Sequence, residues 1–307
     1  MDKILTGFIY FLSYLPFWML RGLSNFMAFV LHRIIGYRKD VIGKNLLVCF
    51  PEKTEAERKK ITKEFYTNFT DTWLEAIKLL TISRKKLDEM VVNHDYEILK
   101  KLYPTGRNIQ LFAGHLFNWE VANAQIPALI PYTCLSIYMP ISNEGFNKMF
   151  LQLRGRFGSV MLRAGEMKKE MAPWIDKLHL IATAADQSPA GPAQGAVWLN
   201  FFGKPTAFVA GPWRQAVKLN EPIVYLSVQK PSRGKFIFKT ELLIENPSSL
   251  TEGEVAKIFI ERLEKDIRAS PSIYLWSHKR WKFEWKDEYL PNWLGDEPPV
   301  KQVGYLK

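Results

Sequence analysis

A chain of 307 residues buries a sizeable core, and a composition 47% apolar and 24% charged sets aside extended disorder and a polytopic membrane protein. Lysine and arginine number 42 against 31 acidic residues, and the resulting charge of +11 suits an anionic partner: nucleic acid, an acidic protein or an anionic membrane. Two cysteines, Cys49 and Cys134, and five scattered histidines fit neither a disulfide scaffold nor zinc-ligand spacing.

The chain opens on an uncharged run, Ile4 to Leu20, after which the apolar character resumes from Phe26 to Leu31. Seventeen residues sit at the lower limit for spanning a bilayer and Pro16 interrupts them, so a span competes with an in-plane anchor. Arg21, Arg33, Arg38, Lys39 and Lys44 follow closely and by the positive-inside rule keep the body in the cytoplasm. With 10 Trp, 12 Tyr and 20 Phe, the composition favours a membrane over nucleic acid as the anionic partner. The expected organisation is a membrane anchor over 1–35 and a single body over 36–307.

Residues 54–101 read as helices, with Ile61, Phe65, Phe69, Trp73, Ile77 and Leu80 at spacings of three or four. Thr54 and Glu57 form a capping box at the start, and Glu75 falls on the expected solvated face. Short apolar runs then alternate with helical stretches: strands are expected within 108–114, 132–140, 178–186, 222–230 and 236–244. That alternation predicts an α/β fold, a mixed central sheet flanked by helices behind a hydrophobic N-terminal anchoring helix. There is no internal repeat and no Gly-x-Ser-x-Gly elbow, so a serine hydrolase would lack its nucleophile.

Three constellations carry chemistry. The first is GHLFNWE, Gly114 to Glu120, at a strand-to-helix junction. Inside one helix His115 and Glu120 would point about 140° apart, so they meet only if His115 lies in the turn. From there Glu120 is expected to fix the tautomer of a general base that acts on a hydroxyl. The second is LRGRFG, where Arg154 and Arg156 offer guanidinium forks for phosphate or a carbonyl oxygen, against the plain alternative of a solvated basic turn. In the third, ATAADQSPAG, Asp186 and Gln187 end an apolar strand where polar residues line sites or cap turns. Nearer the C-terminus, WSHKRWKFEW (276–285) mixes bases with aromatics and reads as an interfacial patch.

With these blocks in order, the chain resembles the lipid A late acyltransferases, the lauroyl and myristoyl transferase family. The resemblance rests on Lys44, Asn45, Leu46, Phe50 and Pro51, then GHLFNWE as a His-x4-Asp/Glu box, then YMP with RGRFG, ADQSP, NFFGKPTAFVAGPWRQA and IRASPSIYLWSHKRWK. It implies a glycerolipid-acyltransferase-like fold and an enzyme on the cytoplasmic face of the bacterial inner membrane. The implied donor is an acyl carrier protein thioester, the acceptor a hydroxyl of an anionic lipid A precursor, and no cofactor, metal or nucleic acid is required. By the same resemblance His115 is the base, Glu120 its partner, and Arg154 or Arg156 lines the site with Asp186; the expected substrate-binding set is Asn118, Arg154, Arg156, Asp186 and Gln187. Gln187 stands where some relatives have His, which leaves other acceptors open: a lysophospholipid, an aminoacyl lipid or a glycolipid. A non-enzymatic membrane adaptor is the rival from another class.

Overall fold

The computed structural model describes residues 3–189, 196–297 and 299. The expected Pro/Gly loop after Gln187 therefore lies partly outside the described residues. Two short helices open the chain, α1 (Lys3–Tyr14) and α2 (Phe17–Phe29), broken at Pro16, whose ring cannot continue a helix. Among the described residues no helix is long and apolar enough to cross a membrane. A π-helical turn (Val30–Ile35) ends at Gly36, whose positive φ of 65° lets the chain reverse into α3 (Lys39–Cys49).

Helix α4 (Glu55–Lys78) starts on the expected capping box, with Thr54 and Glu57 each serving the other's backbone N–H. Its first half buries Ile61 and Phe65 as the spacing predicts, but the buried face then moves to Thr70, Asp71, Leu74 and Glu75, and Trp73 is left exposed. The cause is the N-terminal hairpin lying along it. Ser24 donates to Asp71 Oδ1 at 2.6 Å, and Lys78 Nζ donates to the carbonyls of Ser13 and Leu15 at 2.9 and 2.8 Å. Glu75, expected in solvent, is thereby buried.

The region expected to be helical to residue 101 carries α5 (Arg84–Met90), then a strand, β1 (Val91–Asp95), and α6 (Glu97–Leu102). The remaining elements are β2 (Ile109–Ala113), α7 (Trp119–Gln125), β3 (Thr133–Tyr138), α8 (Glu144–Gly155), β4 (Val160–Arg163), α9 (Met167–Met171) and β5 (His179–Ala184). After them come β6 (Val197–Phe201), β7 (Lys204–Phe208), α10 (Gly211–Leu219), β8 (Ile223–Ser232), β9 (Lys235–Ile244) and α11 (Glu252–Ala269).

Seven strands form one sheet in the order β1-β9-β8-β2-β5-β3-β4. The pairs from β8 through β4 are parallel, whereas β8 and β9 are antiparallel, so the sheet is mixed, as expected. The central strands are largely apolar because helices cover both faces; Ile109, Leu111 and Phe112 of β2 and Ile223, Val224 and Tyr225 of β8 are buried, and the one polar residue of β2, Gln110, is buried against Glu221. The β6–β7 hairpin stands apart as a second small sheet, packed through Phe201 and Phe208 against Trp281 and Trp213.

Candidate active site

Parallel pairing of β2 with β5 sets Ala113 opposite Ala184, and Ala185 N–H donates to the Ala113 carbonyl at 3.0 Å. Both strands end there. Two residues further along each chain stand His115 and Asp186, so the sheet register itself places them side by side at the carboxyl edge, the end at which open α/β sheets hold their ligands. The contact is direct: His115 Nδ1 lies 2.6 Å from Asp186 Oδ1, and the backbone N–H of His115 donates to Oδ2 at 3.2 Å.

Asp186 is buried, which by itself disfavours its charge, but the His115 ring and the two hydrogen bonds from His115 hold its carboxyl down to about 2. Burial likewise opposes a charge on His115, yet the Asp186 carboxylate wins and raises the imidazole above its ordinary value. An ionised carboxylate accepts only, so Nδ1 carries the proton and Nε2 keeps the free pair of a base. Gln187 Nε2 sits 3.1 Å from that Nε2, an exposed side chain resting on the atom that must take a proton.

The expected partner, Glu120, is committed elsewhere. Its carboxylate takes Arg154 Nη2 at 2.6 Å and Arg154 Nε at 3.0 and 3.1 Å, and it also accepts from Trp119 Nε1 at 3.2 Å. The place expected of Glu120, beside the His115 ring, is taken by Asp186. The reason is geometric: Glu120 lies in the first turn of α7 facing α8, whereas Asp186 is in line with the ring by strand register.

The other expected site residues separate. Asn118 is fully buried, accepting from Glu120 N–H at 3.0 Å as the N-cap of α7 and donating to Glu75 Oε2 at 3.0 Å. Burial raises the Glu75 carboxyl above its usual range. Arg156 Nη1 donates to the carbonyls of Leu79 and Ile82, both at 2.7 Å, and so serves the turn after α4 and not the cleft. Arg154, paired with Glu120, stays close enough for its charge to bear on His115. Gly114 packs directly on α11, where a side chain of its own would overlap Leu263.

A cavity of about 60 Å³ opens over the imidazole, lined by His115, Asp186, Gln187, Tyr274, Leu275 and His278. Tyr274 and Leu275 come from just before the 276–285 run that was expected to be an exposed interfacial patch, and His278 from within it. Instead Trp276 and Arg280 are buried, Trp281 donates to Thr206 at 2.8 Å, and Trp285 packs edge-on to Trp198. The Trp281 and Trp285 indoles pack on the β6–β7 hairpin, and Trp276 packs on Phe50 and Tyr274, which fixes His278 between them at the cavity wall. Among the described residues no cluster of His, Cys, Asp and Glu fits a metal ion. A base with its proton-bearing nitrogen held and its other nitrogen facing a small cavity is suited to activating a hydroxyl.

Residues 2–283 match the family model described as bacterial lipid A biosynthesis acyltransferase. The chain belongs to this family. As a member it is an enzyme, an acyltransferase of lipid A biosynthesis. It is 23% identical over 279 residues to the lipid A biosynthesis lauroyltransferase of Escherichia coli, covering 90% of this chain and 89% of that protein. It is 22% identical over 288 residues both to the palmitoleoyltransferase of E. coli and to a lipid A biosynthesis acyltransferase of Shigella flexneri, at the same coverage. Across this lipid A acyltransferase, the two acids flagged by the sequence fall into separate pairs, His115 with Asp186 and Arg154 with Glu120.

Proposed function

We propose that the enzyme transfers a fatty acyl chain from an acyl carrier protein thioester to a hydroxyl of a lipid A precursor at a membrane surface. The observation that carries this reading is His115 in the cavity wall with Asp186 holding Nδ1 and only the exposed Gln187 side chain on Nε2. Gln187 swings aside and the acceptor hydroxyl takes its place against Nε2. His115 removes the hydroxyl proton as that oxygen bonds to the thioester carbon, the C–S bond breaks, and the departing thiolate recovers the proton from the imidazolium. Asp186 stabilises that imidazolium without taking its proton. The thiolate is a good leaving group, so no covalent acyl-enzyme and no metal is required.

The N-terminal hairpin supports membrane association. Phe8, Phe11, Tyr14, Trp18, Phe26 and Phe29 are each more than half exposed, an apolar surface that a water-soluble protein rarely shows over adjoining helices. With α1 and α2 only 12 and 13 residues long, the fitting arrangement is in-plane, the hairpin embedded at headgroup depth and the body on the cytoplasmic face of the inner membrane. The positive charge then meets anionic headgroups, the phosphates of the acceptor and an acidic carrier protein.

The test is mass spectrometry of lipid A from cells with the wild-type gene, without it, and with His115→Ala. One acyl chain per lipid A should disappear in the last two. Purified His115→Ala should lose roughly 10²–10⁴ in rate, the range of a general base. Unchanged lipid A in the deletion strain, or near-normal turnover by His115→Ala, would overturn the reading.

A further inference from the structure

The mechanism so far leaves the thioester carbonyl without a partner. As the hydroxyl attacks, that oxygen takes on a full negative charge, and a site that closes over it needs a donor aimed at it. His278 lines the same cavity as His115, yet its Nε2 is buried with no hydrogen-bond partner among the described residues. Most buried polar side-chain atoms have a partner, and of those left open among the described residues His278 Nε2 is the one whose residue lines the cavity over His115.

His278 is also fixed relative to the base. Phe117 N–H donates to the Ile273 carbonyl at 2.8 Å and Leu275 N–H to the His115 carbonyl at 3.2 Å, which stitches the 273–275 segment to the catalytic turn. His278 N–H then closes a turn onto the Leu275 carbonyl at 3.0 Å. Buried Asn45 donates to the carbonyls of both Trp276 and His278, at 2.8 and 2.9 Å, and Arg38 Nη1 donates to the Ser277 carbonyl at 3.0 Å. Four residues from two other parts of the chain, His115 and Phe117 in the catalytic turn and Arg38 and Asn45 at α3, therefore hold the backbone that presents this imidazole.

We propose that His278 is a second catalytic residue, donating a ring N–H to the thioester carbonyl oxygen as the hydroxyl activated by His115 attacks the carbonyl carbon. The assignment rests on the acyl-transfer reading. In the step, the hydroxyl proton passes to His115, the new C–O bond forms and the carbonyl π pair moves onto oxygen beside His278. Return of that pair breaks the C–S bond, and the proton on His115 goes to the thiolate. His278 gives a hydrogen bond and no proton.

Its environment suits that role. Burial first, then the charge of Arg280, push the His278 imidazole down to about 4, so at neutral pH it is uncharged and carries one N–H. A neutral imidazole polarises a carbonyl without competing as an acid, and leaves the proton transfer to His115. Arg280 is held in place for this by Nη1 donating to Ser188 Oγ at 2.6 Å and to the Ala207 carbonyl at 2.8 Å, its plane 4.1 Å from the Phe208 ring centre.

The experiment uses full-length protein in mixed micelles, lauroyl-acyl carrier protein as donor and a bisphosphorylated lipid A precursor as acceptor. Wild type and His115→Ala are measured beside His278→Ala, His278→Leu, His278→Gln and His278→Asn, each with its thermal midpoint. Ala and Leu should lower kcat about 100-fold with KM within threefold, on the scale of removing one oxyanion donor. Gln or Asn, which restore an N–H at the reach of Nε2 or Nδ1, should recover at least tenfold over Leu. Leu fills the space of the ring without a donor and keeps the comparison open if the alanine variant does not fold. A kcat within threefold of wild type in His278→Leu, or no recovery in either amide variant, overturns the role of His278 while the base mechanism stands. A wild type that turns over no thioester overturns the acyl-transfer reading and this assignment with it.

Discussion

Exchanging Asp186 for Asn keeps the volume and one acceptor oxygen but removes the charge that faces His115 Nδ1 at 2.6 Å. A hydrogen bond to a charged group contributes about 1.5–3 kcal/mol against about 0.5–1.5 kcal/mol for a neutral one. In the transition state the imidazole is becoming an imidazolium, so the whole charged interaction is at stake, and about 1.5–3 kcal/mol corresponds to roughly 10- to 150-fold in kcat. The pH profile carries the sharper signature. Asp186 raises the His115 pKa, so in the wild type the acid limb of kcat/KM lies above the ordinary histidine value, activity being lost as pH falls through it. With Asp186 neutral, the influences left on the ring are burial and the charges of Arg280 and Arg154, all of which lower its pKa, and the limb should move to lower pH. Glu120→Gln should leave the limb in place, because Glu120 is engaged by Arg154, although kcat falls as α7 and α8 loosen. Initial rates with acyl-carrier-protein donor from pH 5 to 9 decide it. An unmoved limb in Asp186→Asn, or the same displacement in Glu120→Gln, refutes the pairing of His115 with Asp186.

Arg154→Lys gives up the two-pronged contact with Glu120 and should lose about 1.5–3 kcal/mol of stability together with activity, whereas Arg156→Lys should cost under about 1 kcal/mol and leave kcat and acceptor KM unchanged; a raised acceptor KM in Arg156→Lys at an unaltered thermal midpoint would return that residue to the cleft. Gly114→Ala forces a methyl onto Leu263 and should destabilise by about 1–3 kcal/mol, the usual range for overpacking, with part of the loss recovered in the double variant carrying Leu263→Ala; urea melts of the three proteins test this, and an additive double variant would refute the contact. Serine at Phe8, Phe11 and Trp18 together should reduce sedimentation with anionic phospholipid vesicles by more than tenfold without lowering the thermal midpoint, since all three are exposed; equal sedimentation would remove the hairpin from the membrane contact.

The residues that sit in turns were easier to read than the pairs they form. GHLFNWE marks a strand end by its apolar run and glycine, and β2 stops one residue before Gly114 as that pattern predicts. The partner of His115 lies 71 residues away, and which acid meets the ring depends on the register between β2 and β5, a long-range quantity that local spacing does not encode. Strand β1 was hidden because four of its five residues are exposed at the sheet edge, so it shows no alternation. The hairpin between β6 and β7 was hidden by chemistry. Its turn is Phe202-Gly203, both with positive φ, where Asn-Gly would be the expected signal. Phe202 is held in that conformation from outside, its N–H donating to Glu264 at 2.6 Å and its ring covered by Arg268. The 276–285 segment was misplaced for a related reason: tryptophans next to cations look alike in sequence whether they meet headgroups or, as Trp276 and Arg280 do, line a core.

The division of the two acids follows from the number of buried cations behind the site. Suppose Glu120 turned to His115. Arg154, whose side chain is only 22% exposed, would then face the interior without its counter-ion, and two carboxylates would crowd one imidazole already satisfied at Nδ1. Neither loss is offset, because a single ring offers one N–H on that side. With the acids separated, His115 and Arg154 each meet one carboxylate: Asp186 faces the His115 imidazole, and Glu120 ties α7 to α8 through Arg154. Asp71 follows the same rule on the far side of α4, paired with Arg233 at 2.6 Å and Lys230 at 3.4 Å. Any effect of Glu120 on the reaction is therefore expected to come through rigidity. It holds the helix whose N-cap, Asn118, ends the turn that carries His115, and its loss should weaken catalysis by letting that turn drift while leaving the basicity of the imidazole as it was.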